Sequence, residues 1–399
     1  MRQPLPTGRH AFPSFLILCC GSDLKISSLR FARTAPVDRL DSVQVLRGIA
    51  AMLVVYNHTA LLLIAPQYGL DTSFLAPSTA LGKLCAIGVD LFFIISGFVM
   101  ALSAPRFHGP AGASAFLANR FVRIAPLFYL ACLLMLAEAL RVGLPIDTAA
   151  VLNSITFIPV FDDETYTFPL HYLGWTLAFE FVFYLIVAML IAVGGGRYAM
   201  LAVVAAVPIV GFVLQPSLAS GKVLTNPILW EFALGVIACV LYQKGWIPRL
   251  RLPFTFGAAA SVIALLSAAW LLPQQLISVG EDPVGGSRNS IRVLLWGVPA
   301  FLCFVAVVGR EVHNGRLGTL LRLLGDASYS IYLSHLFVVM FVGAIVKRIP
   351  LNPDFVVIVT LVCSAAVGIL AYRLVEAPLL TASRRAVATL WPRTARAAA

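Results

Sequence analysis

The sequence predicts an all-α fold, a polytopic transmembrane helical bundle of about ten spans with both termini cytoplasmic. Three observations predict it. The chain of 399 residues is 60% hydrophobic and only 12% charged, with a mean hydropathy of +0.91; a soluble domain carries about 25% charge. Repeated apolar runs are long enough to cross a bilayer, which takes ~20 residues in a helix. Lys and Arg are unevenly shared between alternate connections, as the positive-inside rule requires.

The runs fall at 44–64, 84–103, 122–141, 171–193, 198–214, 226–243, 255–272, 291–309, 328–347 and 354–375. With a cytoplasmic N-terminus, 22 of the 29 Lys and Arg residues fall on the inner side. They lie in the N-terminal arm through Arg47, in the even-numbered hairpins and in the tail. Only Lys83, Arg141, Lys222, Arg288, Arg292, Lys347 and Arg348 fall outside. The longest outer connection, 142–170, carries Asp147, Asp162, Asp163 and Glu164. The net charge of +11 therefore reads as orientation within membrane lipids and not as a nucleic-acid footprint. Large soluble domains and internal repeats are absent from the pattern.

Residues 1–40 read as an N-terminal extension. Its run FPSFLILCC is too short to span, and no small-residue cleavage site follows it. The transmembrane domain is predicted over 41–380, and 381–399 reads as a basic cytoplasmic tail. The seven cysteines are scattered through apolar segments with no CxxC spacing, which reads as small buried hydrophobes and implies no metal site.

The chemistry-bearing residues stand out because ionisable groups inside the membrane are costly and mark functional sites. Arg47 and His58 share the first span, in LRGIAAMLVVYNH. Eleven residues of helix return to within ~20° of the same face and advance by ~16 Å. Arg47 is thus placed at the inner surface and His58 in the outer half. Asp90, in GVDLFFIISGF, and Glu180, in GWTLAFE, come out at a depth similar to His58. Arg120 and Arg123, in NRFVRIAP, are i,i+3 neighbours at the head of the third span. With Arg47 they form a basic inner mouth suited to phosphate, which guanidinium binds as a fork. Read singly, the arginines are also ordinary inner-surface anchors, and His58, Asp90 and Glu180 are also ordinary buried polar braces. Trp175 reads as an interface aromatic and a site wall. His335, in SYSIYLSH, is placed about two turns from the inner face, on the ligand channel or in a structural hydrogen bond. His10, His108 and His313 fall in the arm or inner loops and carry no assigned role.

At these residues the chain resembles the acyltransferase 3 family of integral membrane acyltransferases, and within it the exopolysaccharide and O-antigen acetyltransferases of bacteria. The matching segments are Arg47 to His58 in LRGIAAMLVVYNH, Asp90 and Ser96 in GVDLFFIISGFVM, and Arg120, Arg123 and Pro126 in RFVRIAP. Trp175, Thr176 and Glu180 in GWTLAFEFVFYL, Ser330, Tyr332 and His335 in SYSIYLSH, and Arg373, Glu376 and Pro378 in YRLVEAP follow in family order. The short stretch after the tenth span predicts no fused extracytoplasmic esterase-like domain.

The resemblance implies a multi-pass protein of the bacterial cytoplasmic (inner) membrane. It implies transfer of an acyl group, usually acetyl from acetyl-CoA, to a hydroxyl of a glycan or lipid-linked glycan, with His58 as the essential residue and Arg47 in the same motif. On that reading acyl-CoA is a co-substrate and no cofactor is bound. Arg47, Arg120, Arg123 and His335 hold the acyl-CoA, and Trp175 and Thr176 lie on the acceptor side. His58 acts as general base, with Glu180 or Asp90 orienting its imidazole; a covalent acyl-histidine is the other route. The competing class is a transporter of a lipid-linked glycan, which also places charges on several spans. Transport expects convergence on a midplane site between repeats, and the sequence shows two clusters at different depths and no repeat.

Overall fold

In the computed structural model, the described residues are 40–64, 73–76, 79–162, 165–271, 288–349 and 351–390. The expected extension over 1–40, apart from Leu40, lies outside them, as do Cys19, Cys20 and the last nine residues of the tail.

Ten helices are long and apolar enough to cross a membrane. In chain order these spans are Asp41–Leu63, Ile87–Arg106, Gly109–Val142, Tyr172–Ala192, Arg197–Leu214, Ser220–Gln243, Ile247–Ser267, Asn289–Val307, Ser328–Val346 and Pro353–Val387. The second, fourth and sixth are the most enclosed, and the fifth and seventh the most peripheral. The protein is therefore the polytopic helical bundle that composition and hydropathy predict.

Two spans differ from expectation in ways that matter to the site. The third, expected from 122, begins at Gly109 and runs for 34 residues. Pro110 sits in its first turn, and Gly143, in the left-handed conformation at φ 72°, closes it. Residues 109–121 lack the apolar density of a span, but after Pro110 they contain no further proline, and Gly112 is their one poor helix former. Arg120 and Arg123 thus lie inside a continuous helix, ~16 Å or more from its first residue. The tenth helix runs past 375 through a π-helical turn at Tyr372–Glu376 and continues to Leu390.

The spans pack closely where glycines allow it. A Cβ added at Gly97 of the second span would overlap the Phe232 carbonyl, and one at Gly235 of the sixth would overlap the Ile94 carbonyl. Small residues at such crossings let helix backbones approach in a bilayer, where hydrophobic burial gives no drive to associate. A short amphipathic helix, Arg316–Asp326, leads into the ninth span and lies against the start of the first. There an added Cβ at Gly48 would come within 2.9 Å of the Gly325 amide nitrogen. The connection expected at 142–170 has structure of its own. It holds a helix at Thr148–Thr156, with the Asp147 side chain accepting from the Ala149 amide at 2.8 Å, and a two-stranded antiparallel hairpin pairing Val160–Asp162 with Thr165–Thr167.

Candidate active site

Two polar centres lie inside the bundle. The first is a histidine pair between the first and ninth spans. His58 Nδ1 lies 2.9 Å from the Val54 carbonyl oxygen one turn earlier and 3.3 Å from His335 Nε2. The ring centroids are 5.1 Å apart at an interplanar angle of 51°. His335 Nδ1 lies 3.1 Å from the Ile331 carbonyl oxygen. His335 is fully buried and His58 half-buried. A third histidine, His171, precedes the fourth span and places its Nε2 2.9 Å from the Leu333 carbonyl oxygen. It is close enough to His58 and His335 to interact electrostatically. Burial pushes its imidazole down to about 4, so it is neutral at ordinary pH.

The second centre is a cavity of about 120 Å³ whose walls include Arg47, Arg120 and Arg123. Ser96, Thr176, Glu180, Tyr184 and Tyr332 also line it. Glu180 accepts hydrogen bonds from Ser96 Oγ at 2.9 Å and Tyr184 Oη at 2.7 Å. Glu376 accepts from Ser330 Oγ at 2.6 Å and lies in the electrostatic field of Arg123 and Arg47. Arg120 donates to Ser103 Oγ at 3.4 Å and lies 5.4 Å from the Phe116 ring centroid, while its Nε is buried without a partner. Arg47 and Arg123 make no hydrogen bond or ion pair with any described residue. Three guanidinium groups against two carboxylates leave the centre with an excess of positive charge and unused donors. That chemistry suits an anionic ligand.

The expected site residues are therefore regrouped. Glu180 shares the cavity with the arginines instead of standing with His58, because the third helix starts early and carries Arg120 and Arg123 into the bundle. His335 meets His58 and is not among the residues lining the arginine cavity. The ninth span begins at Ser328, which is itself fully buried, so two turns along it is already deep. Neither expected carboxylate is hydrogen-bonded to His58, whose partners are Val54 and His335. Asp90 is fully buried and held by Arg292 of the eighth span, with Nε 3.0 Å from Oδ1 and Nη2 2.8 Å from Oδ2. Trp175 does not stand at an open interface. It is 6% exposed, packed edge-on to Phe93 and Phe179, with the Arg292 guanidinium 6.0 Å from its ring centroid. Thr176 lines the cavity and lies 3.0 Å from Tyr332 Oη.

Arg292, Glu231 and His171 are absent from the sequence-based site. Glu231 is fully buried beside Asp90 and Arg292, and neither of its carboxylate oxygens has a hydrogen-bond partner. Its signal was present: it interrupts the apolar run ILWEFALGVIACV, as Asp90 and Glu180 interrupt theirs. Arg292 stands at the edge of its run and reads as a loop charge. His171 lies in no repeating pattern, and nothing in the sequence marks it.

A ten-span bundle with an internal basic cavity and a histidine pair between two of its spans defines a multi-pass integral membrane protein. The acyltransferase-domain family matches residues 40–373, and the chain belongs to this family. It is 34% identical over 309 residues to the exopolysaccharide production protein ExoZ of Rhizobium meliloti, covering 75% of this chain and 90% of that one. It is 27% identical over 328 residues to the acyltransferase MdmB of Streptomyces mycarofaciens, covering 76% and 80%. No solved structure matches it significantly. The protein is thus an acyltransferase of the multi-pass membrane type.

Proposed function

We propose that the protein is a membrane-bound O-acyltransferase that moves an acetyl group from cytoplasmic acyl-CoA to a hydroxyl of a cell-surface or exported polysaccharide, at the bacterial inner membrane. The observation that carries this reading is the cluster of three guanidinium groups, Arg47, Arg120 and Arg123, on the walls of the internal cavity. Arg47 is on the same helix as His58. The charge distribution among the loops supports a cytoplasmic position for the Arg47 end. The nucleotide phosphates of the donor bind Arg47, Arg120 and Arg123. The pantetheine arm covers the ~16 Å of helix between Arg47 and His58. The relative named for exopolysaccharide production supports a glycan as acceptor.

In the transfer, His58 Nε2 takes the proton of the acceptor hydroxyl as its oxygen attacks the thioester carbonyl carbon. The C–S bond breaks, the ester forms, and the CoA thiolate takes the proton back from the imidazolium. Protons balance within the site. Membranes containing the protein, given acetyl-CoA labelled in the acetyl group, test the reading. Label moving into glycan supports it, together with O-acetyl NMR signals that disappear from the surface polysaccharide when the gene is removed. Label that stays on CoA while glycan crosses the bilayer overturns it in favour of transport.

A further inference from the structure

The hydrogen bonds of the histidine pair determine where its protons sit. A backbone carbonyl can only accept. The Val54 oxygen lies 2.9 Å from His58 Nδ1 and the Ile331 oxygen 3.1 Å from His335 Nδ1. Each Nδ1 therefore carries the hydrogen when its ring is neutral, and each Nε2 is a bare lone pair. The lone pair of His335 Nε2 faces His58 Nδ1 at 3.3 Å. The His58 Nδ1–H is shared between two acceptors, and His58 Nε2 is left as the free basic atom.

We infer that His335 is a positioning residue for His58: it fixes the Nδ1–H tautomer and supports the imidazolium that forms when Nε2 takes a proton. This rests on the reading of His58 as the general base. In hydroxyl-activating triads a carboxylate fills this place. Here both nearby candidates are committed elsewhere, Asp90 to Arg292 and Glu180 to Ser96 and Tyr184. A second imidazole offers a lone pair without adding a net charge to a buried membrane site, where an uncompensated carboxylate is costly. His335 is itself locked. It is fully buried, tied to Ile331, and set 6.2 Å from the Tyr332 ring between centroids. Among the described residues, the other titratable groups facing the pair are His171, which is neutral, and Tyr332.

The test measures His58 directly. The purified full-length protein is treated with diethyl pyrocarbonate across a pH series, and carbethoxylation of His58 is read by mass spectrometry. Only the unprotonated ring reacts, so the acid limb reports His58 basicity. His335→Leu is expected to move that limb about one pH unit lower, His335→Asp to move it higher, and His335→Gln, which keeps an acceptor, to hold it near the wild-type position. The pH profile of label transfer from acetyl-CoA is expected to move in the same order. A limb that stays in place across the folded variants overturns the inference. If His335→Leu does not fold, the Asp and Gln variants carry the comparison. The base reading fails separately, through undiminished transfer by His58→Gln, and that result would leave any shift in His58 labelling intact.

Discussion

Arg292 on the eighth span holds Asp90 on the second in a two-pronged ion pair, with contacts of 3.0 and 2.8 Å, and both side chains are sealed from solvent. Trp175 lies against the guanidinium and Glu231 lies beside the pair. The pair joins the second span, whose Ser96 reaches the cavity, to the eighth. Its position and burial give it a bracing role.

Removing one partner of such a pair leaves an unpaired buried charge, which costs about 3–5 kcal/mol. Arg292→Met alone is expected to lower the thermal transition of the detergent-purified protein sharply, and Asp90→Leu alone to lower it less, since Glu231 remains beside the Arg292 guanidinium. The double substitution is expected to recover most of the loss, since it removes both charges. Equal losses in the single and double variants would show that the ion pair is not what the structure depends on.

The crossing of the second and sixth spans depends on having no side chain at two positions. Gly97→Ala and Gly235→Ala would each drive a Cβ into a backbone carbonyl of the facing helix. Forced overpacking costs about 1–3 kcal/mol or more. Gly196→Ala is the control, with φ of −89° and nothing within 4 Å of an added Cβ. Thermal unfolding is expected to separate the first two variants from the third.

Arg47 and Arg123 differ from Arg292 in making no direct hydrogen bond or ion pair with a described residue, although both lie in the field of Glu376. Their replacement by Gln is expected to change thermal stability less than the loss of Arg292 does, since only the longer-range attraction to Glu376 is removed, and to weaken binding of acetyl-CoA. A hydrogen bond to a charged group is worth about 1.5–3 kcal/mol, so each change is expected to raise the Kd by roughly 10- to 100-fold. Isothermal titration of the purified protein checks this. Unchanged affinity in both variants would remove the arginine cavity from donor binding.

The fold was readable because a bilayer demands long apolar runs, and ten runs correspond to ten helices. What hydropathy did not mark were features of a different kind. The early start of the third helix at Gly109 lies in a stretch of small residues with no apolar run, yet it decides where Arg120 and Arg123 sit. Arg292 stands at the rim of an apolar run, where an interfacial anchor and a buried ion-pair partner look the same in sequence. The meeting of His335 with His58 depends on how deep the ninth span begins, and the amphipathic helix Arg316–Asp326 before it has no counterpart among the apolar runs. The spacing of Arg47 and His58 needed only one helix, and one helix was enough to relate them.

The most direct test is single-turnover transfer of labelled acetyl from acetyl-CoA in membranes, comparing the wild type with His58→Gln at matched protein level and matched donor affinity. General-base catalysis contributes typically about 10²- to 10⁴-fold. The variant is expected to bind acetyl-CoA as the wild type does and to transfer label at least about 100-fold more slowly. Transfer at the wild-type rate by a folded His58→Gln protein would contradict the assignment of His58 as the base at the centre of the reaction.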